Sequence, residues 1–225
     1  MNNRIKEAFE SIHVNEEFKL KTVDMIGDSK AVSFKSLVPV AACLIMCFFI
    51  YQFVFVPVNI ISLDINPSIE LGVNRMGYVI DAKAYNEDGE ILLDNVDVGY
   101  KKYKTAIEKI ISCRQIQDLL YNNEELVIAV SGQNENGCER IVQSLSDCTQ
   151  RKGIYCHSIS ADIVSSAHDN GLSCGRYQAY LNAKEYYPEL TAQEALDMTM
   201  RELHELCGTE NSHKGNHHRG GHNNK

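Results

Sequence analysis

The residues best suited to chemistry are Asn66 and Pro67, which share one peptide bond. An asparagine side chain usually reacts with the backbone nitrogen of the next residue, but proline has no N–H for that route. What remains is attack by the Asn66 side-chain nitrogen on its own carbonyl carbon, which gives a succinimide and frees Pro67. This reaction needs a fold that sets the attack geometry and stabilises the oxyanion. Taken alone, the dipeptide favours a simple bend between two strands.

Other chemical signals in the sequence are weak. Imidazole nitrogens between glycines can bind a divalent metal, and the weak candidates are His213, His217, His218 and His222. No metal or other cofactor is predicted, because nothing preorganises this tract. The sequence has no P-loop, dinucleotide fingerprint, nucleophile elbow or zinc-protease motif. The protein is therefore not predicted to be an enzyme, apart from a single-turnover self-cleavage.

Six cysteines follow the apolar run described next, and an even number permits up to three disulfides: Cys113, Cys138, Cys148, Cys156, Cys174 and Cys207. None has CxxC spacing, which disfavours a zinc cluster or a thioredoxin-like site. Cys138 and Cys148 would lie about 15 Å apart on one predicted helix, too far to pair. Any bridge should therefore join different elements, and the pairing stays open.

An uncharged run from Ser36 to Leu63 separates two polar segments. About 20 apolar residues suffice to cross a bilayer as a helix, so the run predicts a transmembrane helix over residues 36–57. Lysines precede it and carboxylates follow it, which predicts a cytoplasmic N-terminus and an extracellular C-terminal domain. A cleaved signal peptide is disfavoured because 35 residues precede a run that is too long for such a segment. The predicted location is the cell membrane, as a single-pass protein.

Residues 1–35 have the pattern of two short helices, each with one apolar stripe. A segment this short cannot bury both stripes, so we expect it to complete its core against another protein. The side chains expected to anchor that partner are Ile5, Phe9, Ile12 and Phe18. The alternative is a partly disordered tail beside the membrane.

Residues 58–207 predict one α+β domain. Apolar residues alternate over 61–65, 69–73 and 78–85, which indicates an N-terminal β-meander. A turn at Asn86–Gly89 and a short strand at 91–93 are expected next. Helical and strand patterns then alternate as α-β-α-β, and helices end the domain, one of them with a Thr191–Glu194 capping box. Residues 208–225 predict a disordered His-rich tail.

Charge narrows the range of partners. The net charge of −8 lies on the C-terminal side of the apolar run. An acidic domain without a basic stripe argues against nucleic acid as its partner.

The segment SLDINPSIELGVNRMGYVIDAKAYNEDGEIL closely resembles the extracytoplasmic segment of RsgI-type anti-sigma factors. The looser likeness continues to about residue 200. It implies an inner segment that sequesters a sigma-I-like sigma factor, one membrane helix, and an outer domain that self-cleaves at Asn66-Pro67 while its pieces stay paired. An extracellular signal of unidentified chemistry would separate the pieces and expose the stub to site-1 and intramembrane proteases.

The chain departs from that family pattern in two ways. Many members carry a C-terminal carbohydrate-binding, protease or glycosidase module, whereas only the His-rich tail follows here, and the inner segment is short. The resulting interpretation is a membrane-anchored anti-sigma factor that regulates transcription through regulated intramembrane proteolysis. The alternative is a surface-anchored sensor or binding protein with no sigma partner.

Overall fold

The computed structural model describes residues 34–214, with the side chains of residues 38–207. Helix α1 (Phe34–Val54) covers most of the uncharged run, and large apolar side chains along it are exposed. Within residues 34–214, no helix has the combined length and apolarity needed to cross a membrane. The helix predicted over residues 36–57 thus exists, but it ends at Val54 and does not qualify as a span. Pro57 already begins a strand, and a proline disfavours helix at the residue before it.

The chain divides into two compact units between Ile50 and Tyr51. The second unit holds every strand that the structure describes. These strands are β1 (Pro57–Asp64), β2 (Ser68–Asn74), β3 (Val79–Ala84), β4 (Leu126–Gly132) and β5 (Ile154–Ser158). The helices described after α1 are α2 (Glu87–Asn95), α3 (Tyr103–Ser112), α4 (Arg114–Tyr121), α5 (Glu135–Ser144), α6 (Ser146–Thr149), α7 (Ile163–Asp169), α8 (Cys174–Lys184), α9 (Ala192–Asp197) and α10 (Met200–Lys214).

The strands form one sheet in the order β3-β2-β1-β4-β5. Neighbours are antiparallel except β4 and β5, which are parallel. The predicted α+β class, with a meander followed by helices and strands, is confirmed. The order places β1 in the middle of the sheet, hydrogen-bonded to β2 on one side and to β4 on the other.

Two apolar clusters cover opposite faces of the sheet. Alternate β4 residues belong to different clusters, Leu126 and Ile128 to one and Val127 to the other, as expected where successive side chains point to opposite faces. The first cluster adds side chains from α2, α3, α4 and α5, and the second adds α8, α9 and α10. Strands β2 and β4 and the second half of β1 are therefore buried on both faces, whereas the edge strands β3 and β5 keep exposed residues.

Helix α2 replaces the turn and short strand expected around residues 86–93. Asn86 caps this helix by accepting a hydrogen bond from the Gly89 N–H at 2.9 Å. Acidic residues fill its first turn, where the positive end of the helix dipole stabilises negative charge. The sequence -Asn-Glu-Asp-Gly- is thus a helix start rather than a hairpin turn, and Leu92 faces the core instead of joining the sheet.

Helix α10 continues to Lys214, past residue 208, where the sequence predicts disorder to begin. Extending an existing helix adds one hydrogen bond per residue without a new nucleation step. Residues 215–225 lie outside the described part of the chain. The helices expected within residues 1–35 fall almost entirely on residues 1–33, which are also outside it.

Candidate functional site

The candidate site is the hairpin between β1 and β2. Its last strand pair is Asp64 with Ser68, and within the connection the Ile65 N–H donates to the Pro67 carbonyl oxygen at 3.0 Å. Asn66 has a φ of +118°, a value that residues with side chains rarely adopt and that costs conformational energy. Asn66 is half-buried and Pro67 is buried. The Asn66-Pro67 bond therefore lies in a tight, strained connection inside the fold.

The Asn66 side chain is bound by Asn86, the cap of α2. Asn86 Nδ2 donates to Asn66 Oδ1 at 2.7 Å. Asn86 Oδ1 accepts from the Ser68 N–H at 3.0 Å as well as from the Gly89 N–H. A Cβ at Gly89 would approach the Ser68 carbonyl oxygen to 2.6 Å, so only glycine lets α2 sit this close to the hairpin. The Asn86 side chain thus links the N-terminus of α2 to Asn66, before the candidate bond, and to Ser68, after it.

The face of the hairpin that packs against α8 is polar and buried. Asp64 Oδ1 accepts from the Ser68 hydroxyl at 2.5 Å and from the Ser173 hydroxyl at 2.6 Å. Ser173 is the N-cap of α8. Glu70 Oε1 accepts from the Cys174 N–H at 2.6 Å. The N-terminus of α8 therefore rests on two carboxyl groups, where its dipole favours negative charge.

Close approach of α8 depends on Gly175. Its N–H donates to the Ser62 hydroxyl oxygen at 3.1 Å. A Cβ at this position would lie 2.4 Å from Ser62 Oγ and 2.7 Å from Asp64 Oδ2. Any other residue would push the helix away from the strands and break the contacts to both carboxyl groups.

Arg176 connects Asp64 to the end of α9. Its side chain is buried, with Nε 3.8 Å from Asp64 Oδ1. Nη1 donates to carbonyl oxygens around the end of α9: Ala195 at 3.0 Å, Leu196 at 3.2 Å, and Met198. Asp64 Oδ2 and Arg176 Nε and Nη2 are buried without a hydrogen-bond partner. The ion pair therefore compensates charge inside the protein but leaves part of its hydrogen-bonding capacity unused.

Burial is the largest influence on the pKa values of Asp64, Cys174 and Tyr85. It raises the pKa of Asp64, against the lowering effect of the Arg176 guanidinium and the Ser173 and Ser68 hydroxyls. Burial also raises the pKa of the Cys174 thiol well above its usual value, and the Glu70 and Asp64 carboxylates add to that shift. Tyr85, whose hydroxyl donates to Glu70 Oε2 at 2.7 Å, has a raised pKa for the same reasons. Both effects disfavour the Cys174 thiolate, which is the nucleophilic form of cysteine.

The structure brings together only some of the predicted site residues. Asn66 and Pro67 lie in the hairpin, as expected from the two flanking strands. The proposed anchors of the N-terminal segment, Ile5, Phe9, Ile12 and Phe18, lie outside the described residues. The described part of the chain contains no group of His, Cys, Asp or Glu able to hold a metal. His213 lies on α10 without a described side chain, and the other tail histidines lie outside the described range. All eight cysteines, each within the described helices and strands or their connections, are unpaired.

Sequence reasoning did not single out Asn86, Asp64, Ser173 or Arg176 for the site. A signal for Asn86 was present, because an asparagine followed by acidic residues is typical of a helix N-cap. Asp64 alternates with apolar residues, a pattern that equally describes a strand with one solvated face. The pattern carried no sign that α8 covers that face.

Comparison with known proteins identifies the family of the chain. Residues 58–182, more than half of the chain, match the family of the anti-sigma factor RsgI-like central domain. Three relatives come from Acetivibrio thermocellus. Anti-sigma-I factor RsgI6 is 26% identical over 86% of this chain, RsgI7 is 27% identical over 80%, and RsgI5 is 25% identical over 86%.

The chain belongs to the RsgI-like anti-sigma factor family. The alignments cover 29%, 35% and 45% of those three relatives, so the chain spans less than half of their length. The Asn66-Pro67 connection, α2 and the N-terminus of α8 all lie within the matched residues.

Proposed function

We propose that this protein is an anti-sigma factor whose N-terminal segment sequesters a sigma-I-like sigma factor. The observation that supports it is the family match over residues 58–182, together with the similarity to anti-sigma-I factors. Sigma binding would use the apolar side chains of the N-terminal segment, since large apolar groups without an intramolecular partner are typical hot spots. The segment would hold the sigma factor inactive until the α+β domain releases it.

Release would begin with self-cleavage at Asn66-Pro67. Asn66 Nδ2 forms a bond to the Asn66 carbonyl carbon, and the bond from that carbon to Pro67 N breaks. The side-chain nitrogen loses a proton and the proline nitrogen gains one, so the products are a succinimide and a free N-terminus. No water is consumed in this step. Each chain reacts once, so the protein is not an enzyme in the ordinary sense.

Three features support cleavage at this bond. The strained φ of Asn66 places energy in the reactant that cleavage relieves. The missing N–H of Pro67 closes the competing reaction of the asparagine. The contact with Asn86 restricts the Asn66 side chain and removes part of the entropy cost of reaching attack geometry.

The two pieces would stay associated after the cut. β1 lies on the N-terminal piece, and its two neighbours, β2 and β4, lie on the C-terminal piece. The apolar side chains Ile61 and Leu63 remain buried between them, and each contributes about 1.5–3 kcal/mol. Cleavage alone therefore leaves the sigma factor sequestered, and a later signal has to pull β1 out of the sheet.

We further propose that α1 places the chain in the cell membrane, with the N-terminal segment in the cytoplasm and the α+β domain outside. The supporting observation is its exposed apolar surface, which includes Leu44, Phe48 and Phe49. Site-1 and intramembrane proteases would then cut the stub left by separation. Protease added to intact cells should digest the α+β domain and spare the N-terminal segment.

The sigma-binding proposal is tested with Phe9→Asp. The charge should disrupt an apolar interface, so the variant should lose the sigma factor in co-purification and raise expression of its regulon. A deletion of residues 1–30 should do the same. If the deleted protein still represses the regulon, the N-terminal segment is not the sigma-binding element.

A further inference from the structure

We propose that Asn86 is a positioning residue for the cleavage reaction: it turns the Asn66 carboxamide so that the nitrogen is free to attack. This inference rests on the proposed self-cleavage and adds a residue to it. It starts from the single side-chain contact between Asn66 and the cap of α2.

The orientation of the Asn86 amide is determined by its backbone partners. Its oxygen faces two N–H groups, those of Ser68 at 3.0 Å and Gly89 at 2.9 Å. The nitrogen could not replace it there, because an NH₂ group cannot accept from an N–H donor. The Asn86 nitrogen therefore has to face Asn66, and it can only donate.

That donor in turn determines the orientation of the Asn66 amide. Asn66 must present its oxygen to Asn86, so its Nδ2 points away from this contact and stays available as the nucleophile. Donation to Oδ1 also stabilises the negative charge that gathers on this oxygen when Nδ2 loses its proton. A flipped Asn66 would direct Nδ2 into the Asn86 contact, where two NH₂ groups would face each other.

The same amide links the reaction to folding. Asn86 can hold its orientation only when α2 has formed and Gly89 lies against the hairpin, where a Cβ at Gly89 would approach the Ser68 carbonyl oxygen to 2.6 Å. The Ser68 N–H belongs to the C-terminal side of the candidate bond and the Asn66 oxygen to the N-terminal side. Cleavage therefore becomes competent only when β2, the connection and α2 are all in place.

The alternative is that Asn86 is only a helix cap. Asn86→Asp separates the two roles, because a carboxylate still accepts from the Ser68 and Gly89 N–H groups but cannot donate to Asn66. Asn86→Ser gives a second test, since a hydroxyl can cap α2 but is too short to bridge to Asn66. The chain also provides a matched control. Asn134 caps α5 in the similar sequence -Asn-Glu-Asn-Gly-, with its oxygen accepting from the Gly137 N–H at 3.1 Å.

The experiment follows the full chain, pulse-labelled in cell-free translation, on denaturing gels over time. We expect the wild type and Asn134→Asp to be cut at the same rate, and Asn86→Asp and Asn86→Ser to be cut at least about tenfold more slowly, as expected for loss of a hydrogen bond that aligns the reacting group. Urea unfolding is measured in an Asn66→Ala background, where every protein stays intact. In that background, Asn86→Asp should not change the urea concentration at the midpoint of unfolding.

Two results would overturn the inference. One is cleavage of Asn86→Asp at the wild-type rate. The other is slow cleavage that follows a matching loss of stability in the urea series, which would make Asn86 a cap and nothing more. An uncut wild-type chain would instead refute the proposed self-cleavage, and the role of Asn86 would fall with it.

Discussion

The two faces of the β1–β2 hairpin are both buried, yet they are held in different ways. On one face, Ile61, Leu63 and Ile69 pack into an apolar cluster. On the other, Asp64 and Glu70 receive the N-terminus of α8 through hydrogen bonds. Apolar packing tolerates a break in the backbone because it depends on area rather than on direction. Directed hydrogen bonds position atoms, and they stop working when their geometry is lost.

This difference assigns a separate task to each face. The apolar face would keep the two pieces together after a cut, and the polar face would set the shape of the connection that is cut. A substitution on the apolar face should therefore weaken the association of the pieces, whereas one on the polar face should also impair cleavage.

The largest expected effect is on the polar face. Arg176→Met keeps much of the side-chain volume but leaves the Asp64 carboxyl group buried without its cation, which should cost about 3–5 kcal/mol of unfolding free energy. Urea unfolding of the uncut Asn66→Ala protein measures the loss. The double variant Asp64→Asn/Arg176→Met should recover part of it. A cost below about 1 kcal/mol would mean that the ion pair does not hold α8 to the hairpin.

On the apolar face, Leu63→Ala removes a buried side chain and should cost about 2–5 kcal/mol. Cleavage should proceed, but the pieces should separate at a lower urea concentration than those of the wild type, as followed by size-exclusion chromatography. Ile91→Ala, at an exposed position, is the control and should leave association unchanged. Tight association of the Leu63→Ala pieces would show that the apolar face is not what retains β1.

The smallest effect distinguishes two helix caps. Ser173→Ala and Thr191→Ala each remove an N-cap, at a cost of about 1 kcal/mol. Ser173 also donates to Asp64, so its substitution should cost more and should slow cleavage, whereas Thr191→Ala should leave the cleavage rate as it is. Equal effects of the two variants on stability and on rate would argue that the Ser173–Asp64 contact plays no part in shaping the hairpin.

Much of the fold followed from local patterns. The alternation over residues 61–73 predicted the two strands and the bend between them, and Thr191 with Glu194 predicted a capping box that the structure confirms. The pairing of β4 with β1 joins segments more than sixty residues apart, and no local pattern encodes such a partner. The Asn86–Gly89 segment was wrongly assigned because asparagine and glycine serve both turns and helix caps.

The sequence predicts the reacting bond of the candidate site but not the residues that surround it. The Asn66-Pro67 bond is recognisable because its chemistry lies within two adjacent residues. Asn86 and Arg176 act through contacts that span 20 and 112 positions from Asn66 and Asp64, so their roles emerge only when the sheet and α8 are assembled.

The most direct test of the account is the covalent state of the folded wild-type chain. The purified protein is examined by intact-mass spectrometry under denaturing conditions and by size-exclusion chromatography under native conditions. Self-cleavage should give two masses, for residues 1–66 and 67–225, whose sum equals the intact mass until the succinimide takes up water, together with a single native species. Asn66→Ala should give one intact mass. A wild-type chain that stays whole through long incubation while folded would refute self-cleavage and leave Asn66-Pro67 as a bend between two strands.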